Sequence, residues 1–322
     1  MKKVTVIIPN YNGMKFMENC LFSIQNQDAD TPEYEILVVD NGSVDGSLEM
    51  IREKFPQVRV ISLTENTGFC HAANVGIGAS DSDYVLLLNN DTRVSSCFVK
   101  GLYQAIEARS DAFSVSAKML MWDTPDRIDD AGDRYCALGW AYSRGKGKPA
   151  SCYEKPEEIF SSCGGAAIYR KKIFEKIGLF DEAHFMYLED LDIGYRAKLQ
   201  GYRNYYEPSA EVIHFGSASS GSRYNAWKTS LAASNSVYVI VKNMPVLQIL
   251  LNLPFLAAGF FLKFLFFCKK GMGILYLKGL MEGIKKSAVH GGHFRKSRKN
   301  AAACLRIQWQ LYLNIFRFLK KS

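Results

Sequence analysis

Residues 35–45 read Glu-Ile-Leu-Val-Val-Asp-Asn-Gly-Ser-Val-Asp. The four apolar residues follow one another without polar alternation, which indicates a short strand covered on both faces, as in a parallel sheet. The run stops at Asp40. Ligands of open α/β sheets bind beyond the carboxyl ends of the strands, so the sequence places the Asp40 carboxylate where a ligand is expected.

The same pattern recurs on both sides of this stretch. Further strands are predicted at residues 4–8, 58–63 and 84–88. Helices are predicted near residues 14–27, 44–54 and 71–79. Four strands joined by helices within about ninety residues predict a Rossmann-like nucleotide-binding half. Asn or Asp follows three of the strands, at positions 10, 12, 40, 41 and 89–91, so we expect one polar rim.

Several classes of protein lack their characteristic motifs here. No Gly-x-Gly-x-x-Gly follows the first strand and no P-loop occurs, which argues against a dinucleotide enzyme and a P-loop phosphotransferase. The eight cysteines include no Cys-x-x-Cys pair, so the sequence predicts free thiols in a reducing cytosol rather than zinc. The apolar run 4–8 is too short for a signal peptide. Residues 122–160 are predicted to form a loop-rich, mobile insertion over the site.

Two carboxylates at strand ends are candidates for ligand contacts. Asp40 can accept hydrogen bonds from a base or a ribose, whereas Asp45 suits a helix cap. Asp91 follows Asn90 at the end of a buried strand, and such oxygens suit Mg²⁺ or Mn²⁺ with diphosphate oxygens completing the coordination. The alternative for Asp91 is an Asx-turn that closes the strand.

The second half of the chain supplies an acidic cluster. Glu189, Asp190 and Asp192 open a predicted helix, and three acids in four residues suit general-base chemistry because burial and neighbouring charge raise the pKa of a carboxyl group. The alternative is that they complement the helix dipole. His214, in a predicted strand, is a metal-ligand candidate only in combination with Asp91, because a lone histidine is more often a core residue.

Eight motifs in one order carry a resemblance to a known family. They are VIIPNYNG (6–13), VVDNGSVDGS (38–47), ENTGFCHAANVG (65–76), LLLNNDT (86–92), GGAAIYR (164–170), GLFDE (178–182), YLEDLDIGYR (187–196) and VIHF (212–215). Together they resemble the family 2 glycosyltransferases of the GT-A fold, and among them the bacterial rhamnosyltransferase-like branch that builds surface polysaccharides. The resemblance covers residues 4 to about 216.

The resemblance implies roles for individual residues. The residues expected to bind the nucleotide-sugar are Pro9, Tyr11, Asp40, Asn66, Gly68, Asn74, Asn90 and Gly165. Asp91 should bind the divalent metal, Mn²⁺ or Mg²⁺, with His214 as a second ligand. Asp190 should deprotonate the acceptor hydroxyl, with Glu189 positioning the substrate or supporting the base.

Some positions depart from the family pattern or extend it. Asn90 and its preceding Asn stand where many relatives carry carboxylates, which predicts a metal affinity that depends on bound nucleotide. Tyr195 stands where relatives often carry Trp, which puts the acceptor contact there in doubt. Arg223 and Lys228 follow the His214 strand and are candidates for closing over the phosphates, with solvated surface charge as the alternative.

The charge of the chain is sharply divided. Residues 242–322 carry a net charge of +14, and the residues before them carry −6. Residues 243–262 contain no charge, and a basic stretch follows them. A helix crossing the membrane would leave that basic stretch outside, against the positive-inside tendency. We therefore predict a monotopic or re-entrant segment, with both ends in the cytosol.

The end of the chain predicts an amphipathic helix. Its predicted polar stripe is Arg306, Gln310, Asn314, Arg317 and Lys321. Its predicted apolar stripe is Leu305, Trp309, Tyr312, Ile315, Phe316 and Leu319. A basic helix of this kind lies on anionic membrane surfaces. The alternative is a helix packed on the protein or on a second subunit, which leaves a homo-oligomer open.

These observations combine into one prediction. Residues 1–241 form an α/β catalytic domain of the GT-A type with a mixed sheet, and residues 242–322 form a helical membrane-association region. The chain is an inverting glycosyltransferase at the cytoplasmic face of the membrane, moving a sugar such as rhamnose from a UDP- or dTDP-sugar to a lipid-linked or nascent glycan. The alternatives are a polyprenyl-phosphate glycosyltransferase and an inactive nucleotide-binding scaffold. Nucleic acid is not an expected partner, because the basic tail is too apolar.

Overall fold

The computed structural model describes residues 2–216, 225–290 and 301–320. The four predicted strands of the first half are β1 (Val4–Asn10), β2 (Tyr34–Asn41), β3 (Arg59–Leu63) and β4 (Tyr84–Leu88). The helices between them are α1 (Met14–Gln25), α2 (Ser47–Lys54) and α3 (Phe69–Ala79). The strands are parallel and adjacent in the order β4-β1-β2-β3. This arrangement confirms the predicted Rossmann-like half.

The second half of the domain completes one large sheet. Its strands are β5 (Thr92–Val94), β6 (Ala112–Met121), β7 (Ile128–Asp130), β8 (Asp133–Cys136), β9 (Trp140–Ser143), β10 (Glu157–Ile159), β11 (Ala166–Arg170) and β12 (Arg203–His214). Its helices are α4 (Phe98–Glu107), α5 (Lys171–Ile177) and α6 (Glu189–Leu199), with short 3-10 turns at Ala150–Tyr153 and Glu182–His184. Strand β11 runs antiparallel to both β4 and β6, whereas β12 is parallel to β6. The sheet is therefore mixed, as predicted.

The uninterrupted apolar strands are explained by burial on both faces of the sheet. In β4, Leu86 and Leu88 belong to one core cluster, and Val85 and Leu87 belong to the cluster on the other face. All four side chains are fully buried. A strand in this position cannot alternate apolar and polar residues, because neither of its faces contacts water.

Residues 122–160 are more ordered than the predicted mobile insertion. Strand β7 pairs with β6, β10 pairs with β12, and β8 and β9 form a separate two-stranded sheet. The ion pair between Arg144 and Glu157 crosses this region at 2.7 Å. The segment was misjudged because its strands are only three or four residues long, too short for a periodic pattern.

The C-terminal part consists of helices α7 (Ala226–Asn243), α8 (Val246–Lys269), α9 (Gly273–His290) and α10 (Ala301–Leu319). The predicted boundary at residues 241/242 falls inside α7. One core cluster joins β8, α6 and the C-terminal helices through residues including Tyr135, Leu191, Val239 and Leu311. The boundary was drawn from charge, but the packing continues across it.

Helix α10 presents different faces from those predicted. Its buried residues are Ala303, Ile307, Gln308, Leu311 and Asn314. Asn314, assigned from the sequence to the polar stripe, donates to the Tyr135 carbonyl at 2.9 Å. Leu305, Trp309 and Phe316 are exposed. The helix thus packs on the protein, which was the alternative, and it also leaves apolar side chains uncovered. Lys321 lies outside the described residues.

Candidate active site

The predicted polar rim is assembled around the side chain of Asn10. Its amide nitrogen donates to Asp40 Oδ1 at 2.8 Å and to Ser47 Oγ at 3.0 Å, while its oxygen accepts from Asn90 Nδ2 at 2.8 Å. The second Asp40 oxygen accepts from the backbone N–H of Ser43 at 3.1 Å. Asn10, Asp40 and Asn90 are all buried. Asp40 and Asn90, predicted to touch the nucleotide-sugar, therefore fix the loops that follow β1, β2 and β4.

The loop after β1 projects an aromatic ring from this rim. Asn12 adopts a left-handed φ of 50°, its N–H donates to Ser43 Oγ at 2.9 Å, and its side-chain oxygen accepts from the N–H of Val44 at 2.9 Å. Tyr11, directly before it, is exposed. Pro9 is half-buried within β1, opposite Val39. These contacts of Asn12 fix the loop, and the ring of Tyr11 is exposed beside the rim.

The loop before α3 is tied to the end of β2. The Asn41 side chain donates to Asn66 Oδ1 at 3.2 Å and to the Gly68 carbonyl at 3.1 Å, and it accepts from the N–H of Thr67 at 3.0 Å. The Asn66 oxygen also accepts from the N–H of Gly68. Asn66 and Gly68 thus lie at the same rim as Asp40, with Asn41 as the link that sequence reasoning missed.

Asn74 faces another part of the chain. Its amide nitrogen donates to the Phe180 carbonyl at 2.8 Å and to Glu182 Oε1 at 3.0 Å, and its oxygen accepts from the Phe180 N–H at 3.0 Å. The sequence predicted a nucleotide contact for this residue. In the structure Asn74 anchors the segment that leads to α6, and its nucleotide contact stays a prediction.

Asp91 and His214 face each other at the end of β4. His214 Nε2 lies 3.4 Å from Asp91 Oδ1, and Nδ1 lies 2.7 Å from Asp129 Oδ2. Burial lowers the pKa of His214, but the hydrogen bonds and charges of Asp129 and Asp91 outweigh burial and raise it to about 9. A carboxylate that holds the far nitrogen of a histidine is the usual support of a metal-binding imidazole.

These residues fit a divalent ion that is held by few protein groups. Within the described residues no three His, Cys, Asp or Glu side chains are grouped so that they could hold a metal. Asp91 and His214 would therefore supply two ligands and leave the remaining positions to diphosphate oxygens. A metal at His214 must displace the proton that Asp129 and Asp91 stabilise, so binding depends on pH.

The acids of α6 lie in different surroundings. Asp192 is fully buried and accepts hydrogen bonds from Arg196 Nε at 3.0 Å, Lys242 Nζ at 2.9 Å and Asn243 Nδ2 at 2.7 Å. Burial raises the pKa of Asp192, but the charges of Arg196 and Lys242 outweigh burial and hold it well below its usual value. Asp192 therefore links α6 to α7, and its low pKa keeps it ionised at neutral pH.

Among the described residues, no Lys, Arg or His side chain forms an ion pair with Glu189 or Asp190. Burial and the neighbouring Asp190 raise the pKa of Glu189 to about 8, and within the described residues Glu189 Oε2 has no hydrogen-bond partner. Burial also raises the pKa of Asp190, although the N–H groups of Leu191 and Gly164 and the side chain of Asp133 oppose the rise. Both groups are poised to hold or accept a proton.

Sequence reasoning missed the acids of residues 129–133. Asp130 is buried, and burial raises its pKa to about 6. Burial, with the charges of Asp130 and Asp190, also raises the pKa of Asp133 well above its usual value. The sequence Asp-Asp-Ala-Gly-Asp was the available signal. It was passed over because the basic residues 144–148 dominate the insertion.

The Gly164–Gly165 segment joins the two halves of the site. The N–H of Gly164 hydrogen-bonds Asp190, and the Gly165 carbonyl accepts from the N–H of Asn89 at 2.9 Å. A Cβ on Gly165 would lie 2.9 Å from Asn89 Nδ2. The space predicted for substrate at Gly165 is thus taken by Asn89. The same segment places the Asp190 carboxyl beside the end of β4, which carries Asp91.

Two further residues had been considered for contacts with phosphate. Lys228 lies in the first turn of α7, where its backbone N–H donates to Asn225 Oδ1 at 2.8 Å. Arg223 lies outside the described residues.

Tyr195 is fully buried and its hydroxyl donates to Gln248 Oε1 at 2.8 Å. The ring packs against Tyr135 and Phe160, in the core cluster that α6 shares with the C-terminal helices.

Comparison with known proteins identifies the family of the chain. A family model described as Glycosyl transferase family 2 matches residues 5–178. The chain is 28% identical over 215 residues to N-acetylglucosaminyl-diphospho-decaprenol L-rhamnosyltransferase of Mycobacterium tuberculosis, covering 58% of this chain and 68% of that protein. It is 26% identical over 226 residues to rhamnosyltransferase WbbL of Escherichia coli K12, covering 66% of this chain and 83% of that protein.

Solved structures agree on the fold. The mannosyltransferase PcManGT from Pyrobaculum calidifontis, in complex with GDP-Man and Mn²⁺, aligns with a TM-score of 0.54 at 18% identity over 96% of this chain and 80% of that one. GalNAc-T7 with UDP, GalNAc and Mn²⁺ aligns with a TM-score of 0.59 at 17% identity over 75% of this chain. The aligned part is about half, 48%, of the GalNAc-T7 chain. The architecture is that of the GT-A glycosyltransferases.

Proposed function

Because the chain belongs to glycosyl transferase family 2, we propose that it is an inverting glycosyltransferase that uses a UDP- or dTDP-sugar and a lipid-linked or nascent glycan acceptor. The observation that carries the proposal is the Gly164–Gly165 segment. It sets a carboxyl group of raised pKa, Asp190, beside the end of β4. Asp91 follows that strand end and faces His214, the last residue of β12. A proton acceptor and a diphosphate site are the two components that sugar transfer requires.

Asp190 is assigned as the general base. It removes the proton of the acceptor hydroxyl while that oxygen attacks the anomeric carbon from the side opposite the leaving group. A raised pKa makes the carboxylate a stronger base near neutral pH. Glu189 and Asp133 border Asp190: the charge of Asp190 raises the pKa of both, and a hydrogen bond with Asp133 opposes the rise in the pKa of Asp190. They tune the base and orient the acceptor.

The leaving nucleoside diphosphate is bound at the opposite side of the site. A divalent ion, Mn²⁺ or Mg²⁺, would be held by Asp91 and His214, and it would offset the charge that develops on the departing diphosphate. Asp129 orients His214 for this role. Tyr11 stacks on the base, and the loops tied together by Asn10 and Asn41 surround the nucleoside.

The relatives suggest the donor and acceptor. Both rhamnosyltransferases named above carry rhamnose in their names, and one name specifies a diphospho-decaprenol acceptor. We therefore place dTDP-rhamnose first among donors and a polyprenyl-diphosphate-linked sugar first among acceptors. A lipid-linked acceptor would bring the enzyme to the cytoplasmic face of the membrane.

The C-terminal helices provide a surface for that membrane. Among the described residues, only α8 is long and apolar enough to cross a bilayer. However, one of its faces packs on the protein through Gln248, Asn252, Leu256 and Gly259. A helix with a polar face docked on the catalytic domain fits an in-plane position better than a span.

The opposite faces of the helices are apolar and basic. Exposed apolar residues include Leu247, Leu250 and Phe261 on α8, Ile274 and Ile284 on α9, and Leu305, Trp309 and Phe316 on α10. Exposed bases include Lys269, Lys278, Lys285, Arg306 and Arg317. This composition suits the headgroup region of an anionic bilayer. In a sedimentation assay the protein should bind to anionic liposomes, and high salt should release only part of it. Full release by high salt would exclude insertion of the apolar side chains.

The function is tested by a screen of donors with the purified full-length chain. Release of nucleoside diphosphate is measured across UDP-, dTDP- and GDP-sugars with Mn²⁺ and a polyprenyl-diphosphate-linked acceptor. We expect acceptor-dependent turnover of a UDP- or dTDP-sugar and, by NMR, a product of inverted anomeric configuration. Retention of configuration, or turnover of GDP-sugars alone, would overturn the proposal.

A further inference from the structure

The backbone just before Glu189 is strained. Phe185, Tyr187 and Leu188 have φ values of 62°, 69° and 65°, in the left-handed region that disfavours residues with a side chain. Such conformations persist only where surrounding structure holds them in place. These residues belong to the segment 184–188, called here the catalytic turn, and its path sets the direction in which α6 begins with Glu189 and Asp190.

A buried asparagine of α7 holds the catalytic turn. Asn235 is fully buried, and its Nδ2 lies 3.1, 3.0 and 2.8 Å from the carbonyl oxygens of His184, Met186 and Tyr187. Two amide hydrogens are thus shared among three acceptors. The His184 carbonyl also accepts from the N–H of Met186 at 2.7 Å. Asn235 ties all three carbonyls to α7.

The orientation of the Asn235 amide is fixed by a lysine of α9. Lys286 Nζ donates to Asn235 Oδ1 at 2.8 Å. An ammonium group can only donate and a carbonyl can only accept. The oxygen of the Asn235 amide must therefore face Lys286, and its NH₂ group must face the carbonyls of the turn. Lys286 therefore holds the donor side of Asn235 toward the catalytic turn.

Helix α9 reaches this position because it packs very closely on α7. A Cβ on Gly279 would lie 2.6 Å from the Ser230 carbonyl oxygen, and one on Gly283 would lie 2.4 Å from that of Ser234. Only glycine permits this approach. Lys286 follows Gly283 by three residues, which places it on the same face of α9.

We infer that Asn235 and Lys286 are positioning residues for the catalytic turn: Asn235 binds its strained backbone, and Lys286 keeps Asn235 in the orientation that allows this. The inference rests on the proposed role of Asp190. It gives the C-terminal helices a part in catalysis in addition to their membrane surface. A helix that carries exposed apolar residues on one side thereby supports the base from the other.

The first test compares Asn235→Ala and Asn235→Asp with Asn252→Ala in the full-length protein. Asn252 is also a fully buried asparagine, but it bonds Gln308 and the Gln248 carbonyl within the C-terminal helices. Both Asn235 variants should lower kcat on the order of 10²-fold with little change in donor KM, because a small misplacement of a catalytic group has this effect. Asn235→Asp keeps the shape and the lysine partner but presents oxygen to the carbonyls. Asn252→Ala should keep kcat near wild type.

The second test separates the two residues, and its exchange measurement does not require activity. Hydrogen–deuterium exchange of residues 184–192 should accelerate in both Asn235 variants and in Lys286→Met, but not in Asn252→Ala. Lys286→Arg, which retains a donor, should restore most of the kcat lost in Lys286→Met. Unchanged exchange in Asn235→Ala, or an equal loss of kcat in Asn252→Ala, would overturn the inference. Absence of turnover in the wild type would instead refute the proposed function.

Discussion

Helix α6 begins with three acids in four residues, and the structure gives them two different surroundings. Asp192 accepts hydrogen bonds from Arg196, one turn further along α6, and from Lys242 and Asn243 of α7, and the charges of the two cations hold its pKa low. Glu189 and Asp190 make no ion pair within the described residues, and burial raises the pKa of both. Neighbouring carboxyl groups whose environments drive their pKa values apart identify the acid–base residues of a site. The first turn of α6 thus holds a structural carboxylate, Asp192, and two carboxyl groups of raised pKa, which form the reactive pair of the proposed function.

Replacement of the reactive residue should have the largest effect on rate. Asp190→Asn preserves the shape and removes the proton acceptor, so kcat should fall by about 10²–10⁴-fold, while donor affinity and melting temperature stay near wild type. Steady-state kinetics and thermal unfolding check this together. Wild-type turnover by Asp190→Asn would move the base to Glu189 or Asp133 and break the comparison.

Replacement of Asp192, the structural carboxylate, should lower the stability of the protein and leave kcat nearly unchanged. Asp192→Asn breaks a buried ion pair and should lower the free energy of unfolding by about 3 kcal/mol, while kcat per folded molecule changes little. Because the pKa of Asp192 is lowered on folding, its contribution is complete above its ordinary value of 3.8 and declines as the pH falls further. Denaturant unfolding at several pH values should therefore show the two proteins converging in acid. A constant difference would contradict the assignment.

The carboxylate of Asp129 is proposed to act on the metal site through its neighbour His214. It holds His214 at 2.7 Å, and the loss of such a support typically weakens metal binding by about 10–100-fold. Asp129→Asn should raise the Mn²⁺ concentration needed for half-maximal activity by this factor, with activity recovered at high Mn²⁺. Chelator should abolish the activity of both proteins. Full activity in chelator would remove the metal from the proposed function.

The smallest effect concerns Glu189. Its pKa rises from 4.5 to about 8 on folding, so between these values the folded state binds the extra proton, and stability declines as the pH increases. Glu189→Gln lacks this titrating group. The melting temperature of the variant should therefore rise relative to that of the wild type as the pH increases from about 5 to about 8. A difference that does not vary with pH would show that Glu189 is not protonated in the folded protein.

The strand pattern of the sequence predicted the parallel half of the sheet and its polar rim. Residues 35–45 illustrate why, since apolar runs buried on both faces leave an unambiguous signal and the strand ends are marked by Asp40 and Asn90. The family resemblance singled out Asp190 and the Asp91–His214 pair, and their catalytic and metal-binding roles stay predictions. These are local features of the chain, each adjacent to a regular element.

Features that depend on distant contacts were not predictable in this way. The role of Asp192 is set by Lys242, 50 residues along the chain, and nothing in the local sequence distinguishes it from Asp190. Asp133 lies in strands too short to produce a pattern. The buried face of α10 was misassigned because Gln308 and Asn314 are polar and yet bury against the protein. In each case tertiary packing decided between alternatives that the sequence left equal.

The link from α9 to the catalytic turn also has a consequence for the time course of synthesis. Domains tend to fold from the N-terminus as the chain is made, at about 5–20 residues per second. Lys286 follows Glu189 by about 100 residues, and its contact with Asn235 can form only after α9 is made. The last rim residue, Asn90, precedes Lys286 by 196 residues, so the rim is synthesised about 10–40 s before the turn at the base acquires its last support. If the proposed function holds, the residues of the donor site are made well before the support of the base.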